Sequence, residues 1–275
     1  MIIIKRNTCR SLMLILGVGA IPHPLTAQSI FRPPDTGATF TIESIRPDFD
    51  YEGPTFPTAG VFLTYRGNRT AGKRFILEVP LAIANSSYSD TEIVLGNPYI
   101  GIELGSDDSA NFIDIGVRLP LTGKDQEGAR FIGLISDFNQ RMGAFAVESL
   151  WLKGGFNHRS KSASGLGIRV RLGPSVWIPT QDTEYRDTEF LMLYSAQLSQ
   201  DLGKMSLWGA LSGNYWISEK GFDFDERVWN TLGIGATLRP GSVQPGLFIC
   251  LPLDEDMKEM VNRVVGLQVA FIIDQ

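Results

Sequence analysis

Apolar and polar residues alternate along most of this 275-residue chain. In residues 111–121, isoleucine or valine at positions 113, 115 and 117 alternates with Asp114, Gly116 and Arg118. Successive side chains of a β-strand point to opposite faces, so this pattern predicts strands with one apolar and one polar face. The predicted strands are 38–47, 59–66, 74–84, 96–104, 111–121, 145–157, 166–178, 190–199, 205–217, 228–239, 243–253 and 263–273.

The connections between these strands alternate in length. Those after even-numbered strands are compact, whereas those after odd-numbered strands are longer and mostly acidic, as in residues 48–57 and 179–189. Barrels of bacterial outer membranes alternate short periplasmic turns with long external loops in this way. We therefore predict an all-β, transmembrane, up-and-down antiparallel β-barrel of about 12 strands. Prolines beside several strands leave the count between 10 and 14, and a β-sandwich with buried alternating faces is the other architecture that fits.

One segment, residues 128–145, departs from the strand pattern. Phe131, Leu134, Ile135 and Phe138 recur at helical spacing, which predicts a short amphipathic helix in the third external loop. Three placements fit this helix: packing on the barrel rim, folding into the lumen as a plug, and lying at the lipid interface.

The first residues predict export. Three basic residues precede a short apolar run at 12–21, and a short polar stretch ending in Leu25, Thr26 and Ala27 follows, as in a secretory signal peptide. No later stretch reaches 18 uninterrupted apolar residues, the length expected of a membrane-spanning helix. The predicted organisation is a signal peptide at 1–27, an N-terminal periplasmic segment at 28–37 and an outer-membrane β-barrel at 38–275.

The run Gly96-Asn97-Pro98-Tyr99, followed by a strand ending at Pro120, resembles the Gly-Asn-Pro-Tyr-type strands of poorly characterised Gram-negative outer-membrane β-barrel proteins. Residues 264–273 are similar to the terminal strand by which such barrels are recognised for assembly, although the chain ends in Asp-Gln instead of an aromatic residue. The resemblance implies a place in the bacterial outer membrane, with membrane lipids and the barrel-assembly machinery as partners. It transfers no catalytic or ligand-binding residue.

Alternation turns a set of charged side chains toward the barrel interior. Buried charges persist only when they are paired or hydrated. They form either a salt-bridge network that closes a narrow barrel or a charged constriction that selects solutes. The predicted lumen-lining residues are Glu78, Glu103, Asp114, Arg118, Lys153, Arg169 and Arg171.

Aromatic residues near strand ends, including Trp177, Trp216 and Trp229, predict interfacial girdles, with Trp151 and Trp208 pointing inward.

Catalytic and metal-binding chemistry is sparse in the sequence. After the predicted cleavage, His158 is the one remaining histidine, close in sequence to Asn157 and Ser160, and Cys250 is the one remaining cysteine. We predict a solvated turn at His158, no enzyme activity, no metal or cofactor and no nucleic-acid partner.

The function that these features favour is passive transport. We predict a channel or transporter for an unknown small polar or amphipathic solute, with the inward charges shaping its path. The alternative is a closed barrel with a structural or surface-interaction role through its external loops.

Overall fold

The computed structural model describes residues 37–49, 58–68, 70–86, 89–106, 109–181, 187–219, 223–224 and 226–273. The predicted signal peptide and all but the last residue of the predicted periplasmic segment lie outside the described residues.

Thirteen strands in this part of the chain form one antiparallel sheet. Their bounds are β1 Thr39–Asp48, β2 Ala59–Arg66, β3 Lys73–Ser86, β4 Ser89–Leu95, β5 Tyr99–Leu104, β6 Asn111–Arg118, β7 Ser149–Lys161, β8 Leu166–Pro179, β9 Glu189–Leu202, β10 Met205–Trp216, β11 Val228–Leu238, β12 Val243–Pro252 and β13 Arg263–Ile272. The helical elements are α1 Glu127–Ser136, α2 Phe138–Arg141, a 3₁₀ turn Met142–Ala144 and α3 Glu255–Met260.

The sheet closes into a barrel whose wall has twelve strand positions. β1 pairs with β13 from Thr39↔Ile272 to Asp48↔Arg263, which joins the first strand to the last. β3 pairs with β5 along its first half and with β4 along its second half, so β4 and β5 together occupy one strand position in the wall. The predicted 12-strand transmembrane barrel is therefore confirmed.

One predicted strand is wrong in its organisation, and the strand predicted from residue 145 begins only at Ser149. The interpretation of residues 96–104 as one strand missed β4, and it placed in a strand the three residues that separate β4 from β5. Pro98 has no amide hydrogen to give to a ladder, and Gly96 lies so close to Ala144 and Phe145 that a Cβ atom there would overlap them.

The two faces of the barrel wall differ in polarity. Outward positions carry exposed apolar side chains on every side, such as Ile115, Leu172, Ile234 and Leu267. A contiguous apolar outer surface suits contact with lipid chains, since the wall's backbone groups are hydrogen-bonded between strands. None of the helices in the described part of the chain is long and apolar enough to cross a membrane.

The helical segment of the third long connection lies inside the barrel. We call residues 127–146 the plug. α1 packs against β1 to β4 and α2 against β10 and β11. Ile135 and Phe145 of the plug share a buried cluster with the inward-facing Ile45, Phe62 and Phe248. Of the three placements that fit the sequence, the structure shows the plug.

Candidate functional site: the charged interior

Charged side chains are buried on the inner face of the wall and on the plug. All seven predicted lumen-lining residues lie there, each less than a tenth exposed. Within the described ranges, eight buried side chains are basic and four are acidic. The basic ones are Arg66, Arg74, Arg118, Arg141, Lys153, Arg159, Arg169 and Arg171, and the acidic ones are Glu43, Glu78, Glu103 and Asp114.

Arg141 ties the plug to the wall. Its guanidinium pairs with Glu43 on β1 and lies 3.2 Å from a carboxylate oxygen of Glu78 on β3. The same group sits 4.3 Å from the ring centroid of Phe62 on β2, within cation–π distance. All four side chains are almost completely buried, so the plug is held to three strands by contacts that exclude water.

Asn97 joins the plug to the break between β4 and β5. Its amide nitrogen donates to the carbonyl oxygens of Gly143, at 3.0 Å, and Ala146, at 2.6 Å. Its amide oxygen accepts from the backbone nitrogen of Thr122 at 2.8 Å, and its carbonyl oxygen accepts from Arg118 at 3.1 Å. The Gly-Asn-Pro sequence therefore interrupts the wall where the chain docks the plug.

A second charge cluster lies beside Tyr99 on β5 to β8. Arg171 pairs with Asp114 at 2.8 Å, and Asn157 donates to the other oxygen of that carboxylate at 2.6 Å. The ring of Tyr99 lies across Gly101 and Gly116, where any Cβ atom would overlap it. These two glycines let the tyrosine hydroxyl reach the charged groups.

A third cluster, nearer the short turns, centres on Glu103. Arg66 on β2 pairs with this carboxylate, and Arg74 on β3 lies 3.9 Å from it. The predicted residue Glu103 is thus part of a separate ion pair network on β2, β3 and β5.

Basic residues follow β7 and β8 from the plug toward the short turns. Arg171 pairs in register with Asn157, and Arg169 with Arg159. Lys153, four residues before Asn157 on β7, donates to the carbonyl oxygen of Gln140 on the plug. The rise per strand residue gives this basic row a length of about 20 Å along the wall.

Small cavities adjoin the basic row. Gln140 and Lys153 line two of them, one beside Trp151 and Leu193 and the other beside Tyr99 and Arg171. Arg169 lines a third near the short-turn end, together with Gln197 and Thr237.

The tryptophans predicted for an interfacial girdle form an inner aromatic row instead. Trp177 stacks on Trp151 with ring centroids 5.3 Å apart, Trp216 contacts Trp177 at 6.0 Å, and Trp229 contacts Trp216 at 5.7 Å. Phe138 of the plug extends the row, 5.9 Å from Trp229. The girdle prediction is wrong for Trp177, Trp216 and Trp229 because they pack against the plug and one another.

The sequence interpretation missed several interior charges. Glu43, Arg66 and Arg74 lie in predicted strands on the same face as other inward positions, so alternation could have found them, whereas Arg159 lies beyond residue 157, where its strand was predicted to end. Arg141 gave no such signal, because it lies on the plug and not on a strand.

The residues around His158 are not brought together as a catalytic group. Nδ1 of His158 lies 2.9 Å from the side-chain oxygen of Asn111, whereas Asn157 turns to the opposite face and contacts Asp114. Within the described ranges, no group of three or more His, Cys, Asp or Glu side chains has a metal-binding arrangement.

A closed barrel with an apolar outer face and a charged interior defines the class: an all-β, outer-membrane-type transmembrane barrel. Among solved structures, an outer-membrane channel from Pseudomonas putida F1 matches with a TM-score of 0.59 at 8% identity, over 90% of this chain and 99% of that one. LpxR from Salmonella typhimurium matches with a TM-score of 0.52 at 10% identity, over 86% of this chain and 100% of that one. No protein-family model and no curated protein matches the sequence. At these identities the likeness extends to the fold alone.

Proposed function

We propose that this chain is a channel or transporter of the bacterial outer membrane for small polar or amphipathic solutes, and that its interior favours anions. The apolar outer face and the outer-membrane proteins that share the fold support the location.

The observation that supports the anion preference is the excess of basic over acidic side chains in the interior. Rings of lysine and arginine select anions in other pores because their positive charge attracts anions and repels cations. Here Lys153, Arg171 and Arg169 follow one side of the lumen, on β7 and β8. Two of the acidic side chains are paired with basic ones, Asp114 with Arg171 and Glu78 with Arg118, which is what a salt-bridge network would also require.

The proposed path runs between the plug and the strands from β7 to β9. The plug's helices face β1 to β4 on one side and β10 and β11 on the other. The cavities that share Lys153 and Gln140 lie along the remaining side, toward β7. The contact between those two residues is the narrow point of the path, and passage requires it to open.

A second candidate function is a closed barrel that acts through its external loops. The observation that favours it is the apolar packing of the plug: Ile135, Phe138 and Phe145 are each at most 4% exposed, buried against the wall. A plug held by such a core blocks the adjacent part of the lumen while it stays docked.

The experiment that tests the proposal is single-channel recording of the purified, folded barrel in a planar lipid bilayer with a salt gradient. We expect discrete conductance steps and a reversal potential that reports anion preference. The variants Lys153→Gln and Arg169→Gln each remove one positive charge from the row and are expected to shift that potential toward cations. Arg263→Gln is the matched control, because Arg263 is more than half exposed and pairs with Asp48.

The outcomes separate the two candidates. If the barrel conducts but its reversal potential is unchanged by Lys153→Gln and Arg169→Gln, the path along β7 and β8 is contradicted. A barrel shown to be folded and inserted but electrically silent would favour the closed barrel.

A further inference from the structure

We propose that the cavity between the plug and strands β5 to β8 is a binding site for one small inorganic anion of halide size, and that the bound ion holds the plug in place. We call this cavity the anion site. This proposal rests on the proposed function, because the anion site lies on the same path, but it can be tested without measuring conductance. It is lined by Glu78, Tyr99, Arg118, Gln140, Arg141, Lys153 and Arg171.

The polar atoms that line the anion site are mostly donors. Four lining side chains are basic and one, Glu78, is acidic. Glu78 is engaged by Arg118 and Arg141, so its charge is already balanced where it faces the cavity.

Several of these donors have no hydrogen-bond partner among the described residues. They are the hydroxyl of Tyr99, Nε of Arg118, Nε of Arg171, Nη1 of Arg141 and the side-chain nitrogen of Gln140. Each of these five side chains is at least 95% buried. Leaving a buried donor unsatisfied costs about 1–3 kcal/mol, so a ligand that only accepts hydrogen bonds would satisfy several such groups at once.

The size of the cavity limits the ligand. The space among the lining side chains admits about one water-sized sphere. A chloride or bromide ion is a single sphere somewhat larger than a water molecule and only accepts hydrogen bonds, whereas a water molecule would also present two donors to a mainly donating surface. Phosphate and organic carboxylates need more room than this cavity provides.

The anion site is incomplete without the plug. Tyr99, Arg118 and Arg171 belong to the wall, whereas Gln140 and Arg141 belong to α2 of the plug. An ion bound between them contacts both parts, so it binds only when the plug is docked. A ligand that binds one state raises that state's population by the factor 1 + [anion]/Kd.

Two measurements test this proposal on the folded barrel in detergent micelles. The first is a crystal grown in bromide, with diffraction recorded at the bromine absorption edge. We expect one anomalous peak among Tyr99, Arg118 and Arg171. The second is hydrogen exchange of the α1 amides in sodium chloride and in sodium gluconate at equal ionic strength. We expect exchange to slow about tenfold at a chloride concentration nine times the Kd.

Tyr99→Phe is the diagnostic variant, because it removes one donor and keeps the ring over Gly101 and Gly116. The loss of a hydrogen bond to a charged ligand is expected to weaken chloride binding roughly tenfold or more. Tyr194→Phe is the matched control: its hydroxyl donates to Asn230 at 2.6 Å, and it does not line the cavity.

A bromide peak with chloride-dependent exchange that Tyr99→Phe weakens and Tyr194→Phe does not would support the anion site. An absent peak, or exchange that depends on ionic strength alone, would overturn it and leave the cavity to water. Neither result depends on conductance. A barrel that binds bromide but does not conduct in the bilayer would therefore contradict only the transport path.

Discussion

Replacing Arg141 with alanine is expected to release the plug while the barrel wall stays folded. The change leaves the carboxylate of Glu43 buried without its only ion-pair partner in the described structure, whereas Glu78 keeps Arg118. Removing one member of a buried pair costs about 3–5 kcal/mol. Protonating a carboxylate at pH 7 costs about 4 kcal/mol, which limits the penalty at Glu43.

A loss of about 3–4 kcal/mol corresponds to a roughly 100- to 1,000-fold rise in the population with the plug undocked. The wall loses no ladder hydrogen bond, because Arg141 contributes to no strand. Hydrogen exchange of the α1 amides should therefore accelerate by that factor, while amides of β7 to β10 should keep their protection. In the bilayer experiment the same variant should show larger or more frequent openings.

The matched control is Arg130→Ala. Arg130 lies on α1 and pairs with Glu127, whose side chain is 89% exposed. Surface pairs contribute about 0–1 kcal/mol, so exchange should change less than about fivefold. Plug exchange in Arg141→Ala that stays within this control's range would refute the assignment of Arg141 as the residue that holds the plug.

Two further substitutions test the surroundings of the site. Asn97→Ala leaves two plug carbonyls and one backbone amide without their buried partner. We expect a stability loss of about 3 kcal/mol, measured as a lower denaturant midpoint. An unchanged midpoint would contradict the role of Asn97 in joining the plug to the wall. Gly116→Ala places a methyl group against the ring of Tyr99 and should lower the stability by about 1–3 kcal/mol in the same assay. Gly241→Ala, with nothing within 4 Å of the added carbon, should leave the stability unchanged. Equal midpoints for the two glycine variants would contradict the close contact between Gly116 and Tyr99.

The strands were predictable because the wall has a single period. Lipid on one side and a polar interior on the other impose strict alternation, so β2 was predicted at its observed bounds, Ala59–Arg66. β4 was not predicted because its first residues are polar on both faces and it has only one strand neighbour, β3. The break at Gly96 depends on the plug, which no local pattern reveals.

The charged interior was only partly predictable. Alternation identifies which side chains face inward, but the partner of each depends on the register between strands and on the plug. The position of the plug also left a signal: inward positions at the long-loop ends of β1 and β2 are apolar, as at Ile45 and Phe62, where a water-filled lumen would favour polar residues. Helical spacing alone could not show which surface the helix covers.

The plug also has a consequence for the order in which the barrel assembles. α1 follows β1 to β4 in the chain and packs against all four of them, with Ser136 bound to the backbone of Ile45 and Gly60 over separations of 91 and 76 residues. The seam between β1 and β13 closes a much longer loop, with Arg263 and Asp48 separated by 215 residues. Because closing a longer loop costs more entropy, we expect the contacts of α1 with β1 to β4 to form before the seam. The C-terminal strands then close around an interior that is already partly filled.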